Sequence, residues 1–277
     1  MARTNAQATR TKPADTELIL LEVLRSERVT PHMTRVTLGG RDAARFVPRG
    51  FDQWFRLFIP VGEASVRRMP SKLTTVSYLR LLAVSRTERP VLRNYTVRAH
   101  RADGPHGPEL DVDLVVHGSA EDGTSGPAAT WAQTCAVGDV VGIIDEGCLY
   151  AAPDDTDQVL LVADESGLPA VAGVLASLPR DARGSALVEV PSAEDAQEVD
   201  APDGVEVRYV VRTDPHAVPG RAVLAAAREV AVTGAAPYAW VAGEQGLVSE
   251  LRRHWVQVGV DKSRICFTGY WKVGKAH

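Results

Sequence analysis

The segment Arg93-Asn94-Tyr95-Thr96-Val97-Arg98 places two guanidinium groups, a phenol and a hydroxyl within the length of one strand. In an extended chain Arg93, Tyr95 and Val97 point one way and Asn94, Thr96 and Arg98 the other, but a twisted rim brings neighbours of both sets to one ligand. A phenol can lie against a planar ring, a hydroxyl or main-chain amide can reach the ring edge, and a guanidinium can clamp a pyrophosphate in bidentate fashion. That is the mix a flavin dinucleotide needs. A surface strand with ordinary charges and a tyrosine at a barrel corner has the same spacing, so this segment alone leaves both readings open.

Downstream, His117-Gly118 ends the run ELDVDLVV, and Gly126-Pro127-Ala128-Ala129-Thr130-Trp131 opens a helix. The free amides of a first helical turn attract anions, and Gly and Ala there let a phosphate approach the backbone closely. Alternatively, Gly126 and Pro127 only start a short helix and Trp131 only fills core.

The elements that must position these residues change character along the chain. From Leu18 to about Tyr150 short β segments follow one another: LILLEVLRSERV, MTRVTLGG, FDQWFRLFIP, VLRNYTVRAH, ELDVDLVVHG and VGDVVGIID. Leu110, Val112, Leu114 and Val116 alternate with polar residues, as a half-buried antiparallel strand does, and the succession points to a closed or partly closed barrel. After Pro153 to Asp157 the apolar strands QVLLVADES, GSALVEV, VEVRYVV, YAWVAGE and RICFTGY no longer alternate, and most are separated by helical stretches. This is the pattern of a parallel sheet buried on both faces. The expected division is a disordered tail over 1–17, a barrel domain over 18–153 and an α/β domain over 154–277. A barrel followed by an open α/β sheet can seat one nucleotide on each, with the reactive rings meeting in the crevice between them.

Composition narrows the field. The 277 residues carry 31 Lys plus Arg against 35 Asp plus Glu, a net charge of -4, which gives no global cationic field for nucleic acid or an anionic membrane. Any basic recognition surface must be local. The three cysteines and seven histidines are dispersed, without CxxC or HExxH, so no metal site is expected. No membrane span and no secretory leader is visible, which places the chain in the cytoplasm.

Six co-linear motifs, RNYTVR, VVHG, GPAATWA, VADESGLPAV, WVAGE and FTGYWKVG, resemble the siderophore-interacting protein family from about Glu22 to Gly274. These are flavin-dependent ferric-siderophore reductases related to ferredoxin reductases. The resemblance implies an N-terminal antiparallel FAD-binding barrel and a C-terminal parallel-sheet NAD(P)H-binding domain. It makes Arg93, Tyr95, Thr96, Val97 and Arg98 flavin contacts, with Tyr95 against the ring and Arg98 toward the phosphates. His117, Gly126, Ala128 and Trp131 complete the dinucleotide site, although His117 fits equally well as a satisfied barrel histidine. In the second domain amides near Ser166 and Gly167 would meet the nicotinamide or its phosphates, while Asp164 and Glu165 cap the helix or face the nicotinamide side. Gly243 and Glu244 follow the fourth strand near the nicotinamide end. Arg212 stands where an adenosine 2'-phosphate would bind, favouring NADPH over NADH, or is merely solvated.

A large anionic ferric siderophore calls for an open cleft edged by cations. Arg56, Lys272 and Lys275 are the candidates, with Lys72 a further one; Arg67 and Arg68 lie in the proline-flanked insertion VGEASVRRMPSKLTT, expected to be mobile. The expected activity is transfer of electrons from NADPH or NADH through FAD to iron(III), with no acid/base residue, in a monomer; reduced ferredoxin is an alternative donor. The rival readings are a ferredoxin-type or flavin reductase with another acceptor, and a non-enzymatic siderophore-binding protein.

Overall fold

The computed structural model describes residues 10–14, 16–214 and 217–274, in two compact units. One comprises Lys12–Arg49 and Gln53–Gly147; the other contains Gly50–Asp52 and the chain from Cys148.

The first unit is a seven-stranded antiparallel sheet: β1 (Ile19–Thr30), β2 (Met33–Gly39), β3 (Trp54–Ile59), β4 (Val91–Thr96), β5 (Ala99–Gly104), β6 (Gly107–Val115) and β7 (Val140–Gly147), in the order β4-β3-β7-β1-β2-β6-β5. Alternation along β6 sorts its side chains: Leu110, Val112 and Leu114 enter the core beside Leu21, Val23, Val36 and Leu38. Glu109, Asp111 and Asp113 take the other face and are also buried. Buried carboxylates need compensation, and arginines of neighbouring strands supply it. Arg101 spans Glu109 and Asp111, and Arg35 holds Asp113 at 2.7 and 2.9 Å. Just past β4 the Arg98 amide donates to the Asp111 carbonyl at 2.8 Å, curling the sheet back onto β6. The run VLRNYTVRAH is therefore two strands, β4 and β5, broken at Val97 and Arg98.

The insertion after β3 is not an open loop. It contains α1 (Glu63–Val66) and α2 (Thr75–Ala83), the latter started by a capping box in which Ser77 N–H donates to Thr74 Oγ1 at 3.1 Å and Thr74 N–H to Ser77 Oγ at 2.8 Å. Met69 and Leu81 pack on Phe58 and Ile144 outside the main core. A third helix, α3 (Pro127–Thr134), lies between β6 and β7. The tail, expected to bury too little to order itself, is anchored where it is described: Thr11 and Cys148 exchange backbone hydrogen bonds, and Glu17 pairs with Lys72 at 3.1 Å and Arg45 at 3.2 Å. Its first nine residues and Asp15 lie outside the described residues.

The second unit is a five-stranded parallel sheet, β8 (Gln158–Ala163), β9 (Arg183–Val190), β10 (Gly204–Val211), β11 (Pro237–Glu244) and β12 (Ile265–Trp271), in the order β10-β9-β8-β11-β12. Helices α4 (Leu168–Ser177), α5 (Arg221–Arg228) and α6 (Gln245–Gln257) connect it. Every residue of β8 and β11 is buried, which explains their unbroken apolar runs. The chain runs from β8 out to β9 and β10 and then crosses back to β11 and β12 on the other side of β8, so the carboxyl ends of β8 and β11 flank the switch point where open α/β sheets bind ligands.

Candidate functional site

In the antiparallel unit the candidate site forms around β4, an edge strand that pairs with β3 alone among the described residues. Tyr95 lies opposite the buried Phe55 and leans on the barrel core with Val97 and Trp131, all three partly exposed. Burial pushes the Tyr95 phenol up to about 12, so at physiological pH it is a neutral, half-covered ring. Thr96, on the other face, is buried, and its hydroxyl makes no hydrogen bond among the described residues. Arg93 bonds only to the neighbouring Leu92 carbonyl at 2.7 Å and has no carboxylate partner among the described residues.

Helix α3 packs on β2, β4 and β6. Its N-cap is Gly126, no side chain caps its first turn, Pro127 supplies no N–H, and a Cβ built on Gly126 meets nothing within 4 Å. The first amide to donate within the helix is that of Thr130, to the Gly126 carbonyl at 2.8 Å, so the amides of Ala128 and Ala129 before it are unused donors at this end. An unpaired guanidinium, an unspent hydroxyl, a neutral phenol and an uncapped helix start are the donor set an anionic ring-bearing dinucleotide requires. The residues present fit FAD. His117 is exposed and lies beyond the end of β6. Arg98 departs from expectation: its Nε lies 3.5 Å from Asp113, which Arg35 also holds. The contact is an ion pair without a hydrogen bond at Nε, and the side chain is mostly buried.

Arg56 is directly opposite Asn94, on the face that carries Thr96. It too is committed, through a close Nε contact to Glu146 on β7. Burial lowers its pKa, and its side chain remains about one-third exposed. It is a partly neutralised cation, and sequence reasoning missed its partner.

In the parallel unit the turn after β8 is already saturated. Ser166 N–H donates to Asp164 Oδ1 at 3.0 Å and Gly167 N–H to the Asp164 carbonyl at 2.9 Å, so the two amides expected to meet a nicotinamide or phosphate are spent on Asp164. Asp164 also accepts from Glu244 N–H at 2.6 Å and Trp271 Nε1 at 3.0 Å, tying together the ends of β8, β11 and β12. Burial, then the neighbouring Glu165, pushes its carboxyl up to about 6 against these donors. Gly243, at φ +132°, permits this closure, because a Cβ there would meet Asp164 Oδ2 at 2.5 Å.

Arg212 is not the exposed cation that a 2'-phosphate contact requires. It is buried between Glu165 (Nη2 to Oε2, 2.7 Å) and Glu189 (Nε to Oε1, 2.9 Å), and the other Glu189 oxygen accepts the Ala222 and Val223 amides at the start of α5. Glu189 was legible only as a lone acid in the apolar run GSALVEV. Glu244 caps α6 through the Gly246 amide. With Lys272, Arg221, Gln245 and Ser249 it lines one surface cleft, so two residues assigned by sequence to different ligands share a wall. Lys272 is exposed and has no partner among the described residues; Lys275 lies outside them.

With this geometry in hand, comparison with known proteins is decisive. Residues 22–148 match the siderophore-interacting FAD-binding domain, and residues 156–274 match the siderophore-interacting protein domain. The chain belongs to the siderophore-interacting protein family. Among solved structures, a siderophore utilization protein from T. fusca superposes with a TM-score of 0.76 at 31% identity, over 96% of this chain and 97% of that one. Ferric vibriobactin reductase ViuB of Vibrio cholerae is 29% identical over 259 residues, covering 92% of this chain and 90% of its own length. The NADPH-dependent ferric-chelate reductase of Escherichia coli K12 is 28% identical over 254 residues, covering 91% of each. In this siderophore-interacting protein the matched FAD-binding domain spans Arg56, Arg93, Tyr95, Thr96, helix α3 and Glu146. No helix among the described residues is long and apolar enough to cross a membrane.

Proposed function

We propose that this protein is a cytoplasmic ferric-siderophore reductase drawing electrons from NADPH or NADH through FAD. The observation that carries the reading is the pairing of an edge strand bearing Arg93, which has no carboxylate partner among the described residues, neutral Tyr95 and unspent Thr96 with the uncapped start of α3 packed against it. FAD, when bound, accepts two electrons together from a reduced nicotinamide and releases them singly. The chain's residues do the placing. Tyr95 offers its face to the ring, Thr96 a hydroxyl to the ring edge, and Arg93 with the Ala128 and Ala129 amides holds the phosphates. Arg56 and Lys272 draw in the anionic ferric substrate. Iron leaves after reduction because hard oxygen ligands hold iron(II) less tightly than iron(III). The names of the Vibrio and Escherichia relatives support this substrate class.

The test is an absorption spectrum of the purified protein, then anaerobic titration with NADPH and NADH, then addition of ferric siderophore with a ferrous trap. A yellow protein, bleached by nicotinamide and recoloured as trapped iron(II) appears, is the expected result. A colourless protein that cannot be loaded with FAD would refute the reading, and reoxidation by free flavin or ferredoxin but not by ferric chelates would support the rival reductase.

A further inference from the structure

Helix α2 is oriented against the usual rule. Its inward stripe is Ser77 and Leu81, of which only Leu81 is buried. At 100° per residue the opposite face carries Leu79, Leu82 and Val76, 60%, 46% and 57% exposed, and Tyr78 and Arg80 stand on its two flanks, also exposed. Ten large hydrophobic residues are exposed among the described residues, and these four of α2, counting Tyr78, are the only ones that share a helix. A polar outward face would be the expectation for a helix that merely covers a barrel.

Charge is concentrated in the same segment. Residues 61–90 hold six basic residues, Arg67, Arg68, Lys72, Arg80, Arg86 and Arg89, against two acidic ones, Glu63 and Glu88, a net of +4 in a chain whose total is -4. Arg68 is paired with Glu88 and Lys72 with Glu17, but Arg67, Arg80 and Arg86 are exposed and have no acidic partner among the described residues. An outward apolar ridge flanked by arginine and tyrosine, in a basic field, matches the chemistry of a helix lying in a lipid headgroup layer. A two-fold pairing of this face with a second copy would set net +4 against net +4, so charge disfavours that occupant.

We propose that α2 and its basic flanks dock this protein reversibly on an anionic bilayer surface, lying on it rather than crossing it. Leu81 of α2 packs on Phe58, two residues from Arg56 along β3, so docking brings the membrane surface to the neighbourhood of the cation assigned to the ferric substrate.

The experiment is co-sedimentation of the full FAD-loaded chain with vesicles of phosphatidylcholine alone and of phosphatidylcholine with phosphatidylglycerol, at low and high salt. Binding to the anionic vesicles alone, weakened by salt, is expected. Leu79→Glu and Arg80→Glu should each reduce it by about tenfold or more while leaving flavin content and nicotinamide oxidation unchanged, since neither residue belongs to the site. Equal binding by wild type and both variants, or no binding to anionic vesicles, overturns the proposal. So does a concentration-dependent dimer that Leu79→Glu abolishes in a protein with no vesicle affinity, which would make the ridge a self-association face.

Discussion

The Arg212 guanidinium lies 2.7 Å from the Glu165 carboxylate, and both are buried with Glu189 at the carboxyl end of the parallel sheet. Arg212 is therefore part of the frame. Arg212→Met leaves two buried carboxylates without their cation and should destabilise the protein by about 3 to 5 kcal/mol. Arg212→Met with Glu165→Gln removes one of those charges and should recover part of the loss. In that double variant the ratio of kcat/KM for NADPH to that for NADH should stay within about twofold of wild type, because no 2'-phosphate contact has been removed; a loss of about tenfold confined to NADPH would return Arg212 to the cofactor.

Arg56 and Glu146 make a second prediction with a built-in control. Arg56→Ala should raise KM for anionic ferric chelates by about fivefold to twentyfold with flavin content intact. Part of that rise comes from exposing the Glu146 charge, which the arginine now covers. Arg56→Ala with Glu146→Gln should therefore show a smaller rise than Arg56→Ala alone. If the two variants match, or if Arg56→Ala loses FAD, the assignment of this cation to substrate fails.

The barrel strand predicts separable effects. Tyr95→Ala removes the ring that closes the edge of the core beside Trp131, and should release flavin as well as cost about 3 kcal/mol of stability. Thr96→Val keeps the shape and removes one unspent hydroxyl. It should keep the fold and weaken flavin binding or move its potential, read by visible absorbance after dialysis and by dye-coupled titration. A Thr96→Val protein indistinguishable in both readings would take Thr96 out of the site.

Much of this was legible in the sequence, for physical reasons that also mark where reading stopped. Period-2 alternation located β6, and unbroken apolar runs located β8 and β11, because burial on one face or two writes itself directly into residue type. The break between β4 and β5 was not legible, since it depends on the Arg98 amide finding the Asp111 carbonyl across the sheet. Helix α2 was hidden because apolar residues lie on both of its faces, Leu81 inward and Val76, Leu79 and Leu82 outward, so its pattern carries no single apolar stripe. Motifs identified Arg56, Arg98 and Arg212 as cations, but not their partners: Glu146, Asp113 and Glu189 arrive from other strands. Spacing reports which groups are near in the chain, and the charge a ligand meets depends on groups that are not.

Asp164 links pH to stability. Its carboxyl is raised from an ordinary 3.8 to about 6, chiefly by burial. The native state therefore holds a proton that the unfolded chain releases earlier. The resulting stabilisation is full below about pH 4 and is lost as pH rises through about 6; its size is at most about 3 kcal/mol. Asp164→Asn cannot ionise, and it also spoils acceptance from Ser166, Glu244 and Trp271, which adds a penalty that does not vary with pH. The stability of wild type minus that of the variant, measured by chemical denaturation from pH 4 to pH 8, should fall between pH 4 and 6 and then level off. A difference that is flat throughout, or that grows with pH, would mean that the donors from Ser166, Glu244 and Trp271 outweigh burial and keep Asp164 ionised in the fold.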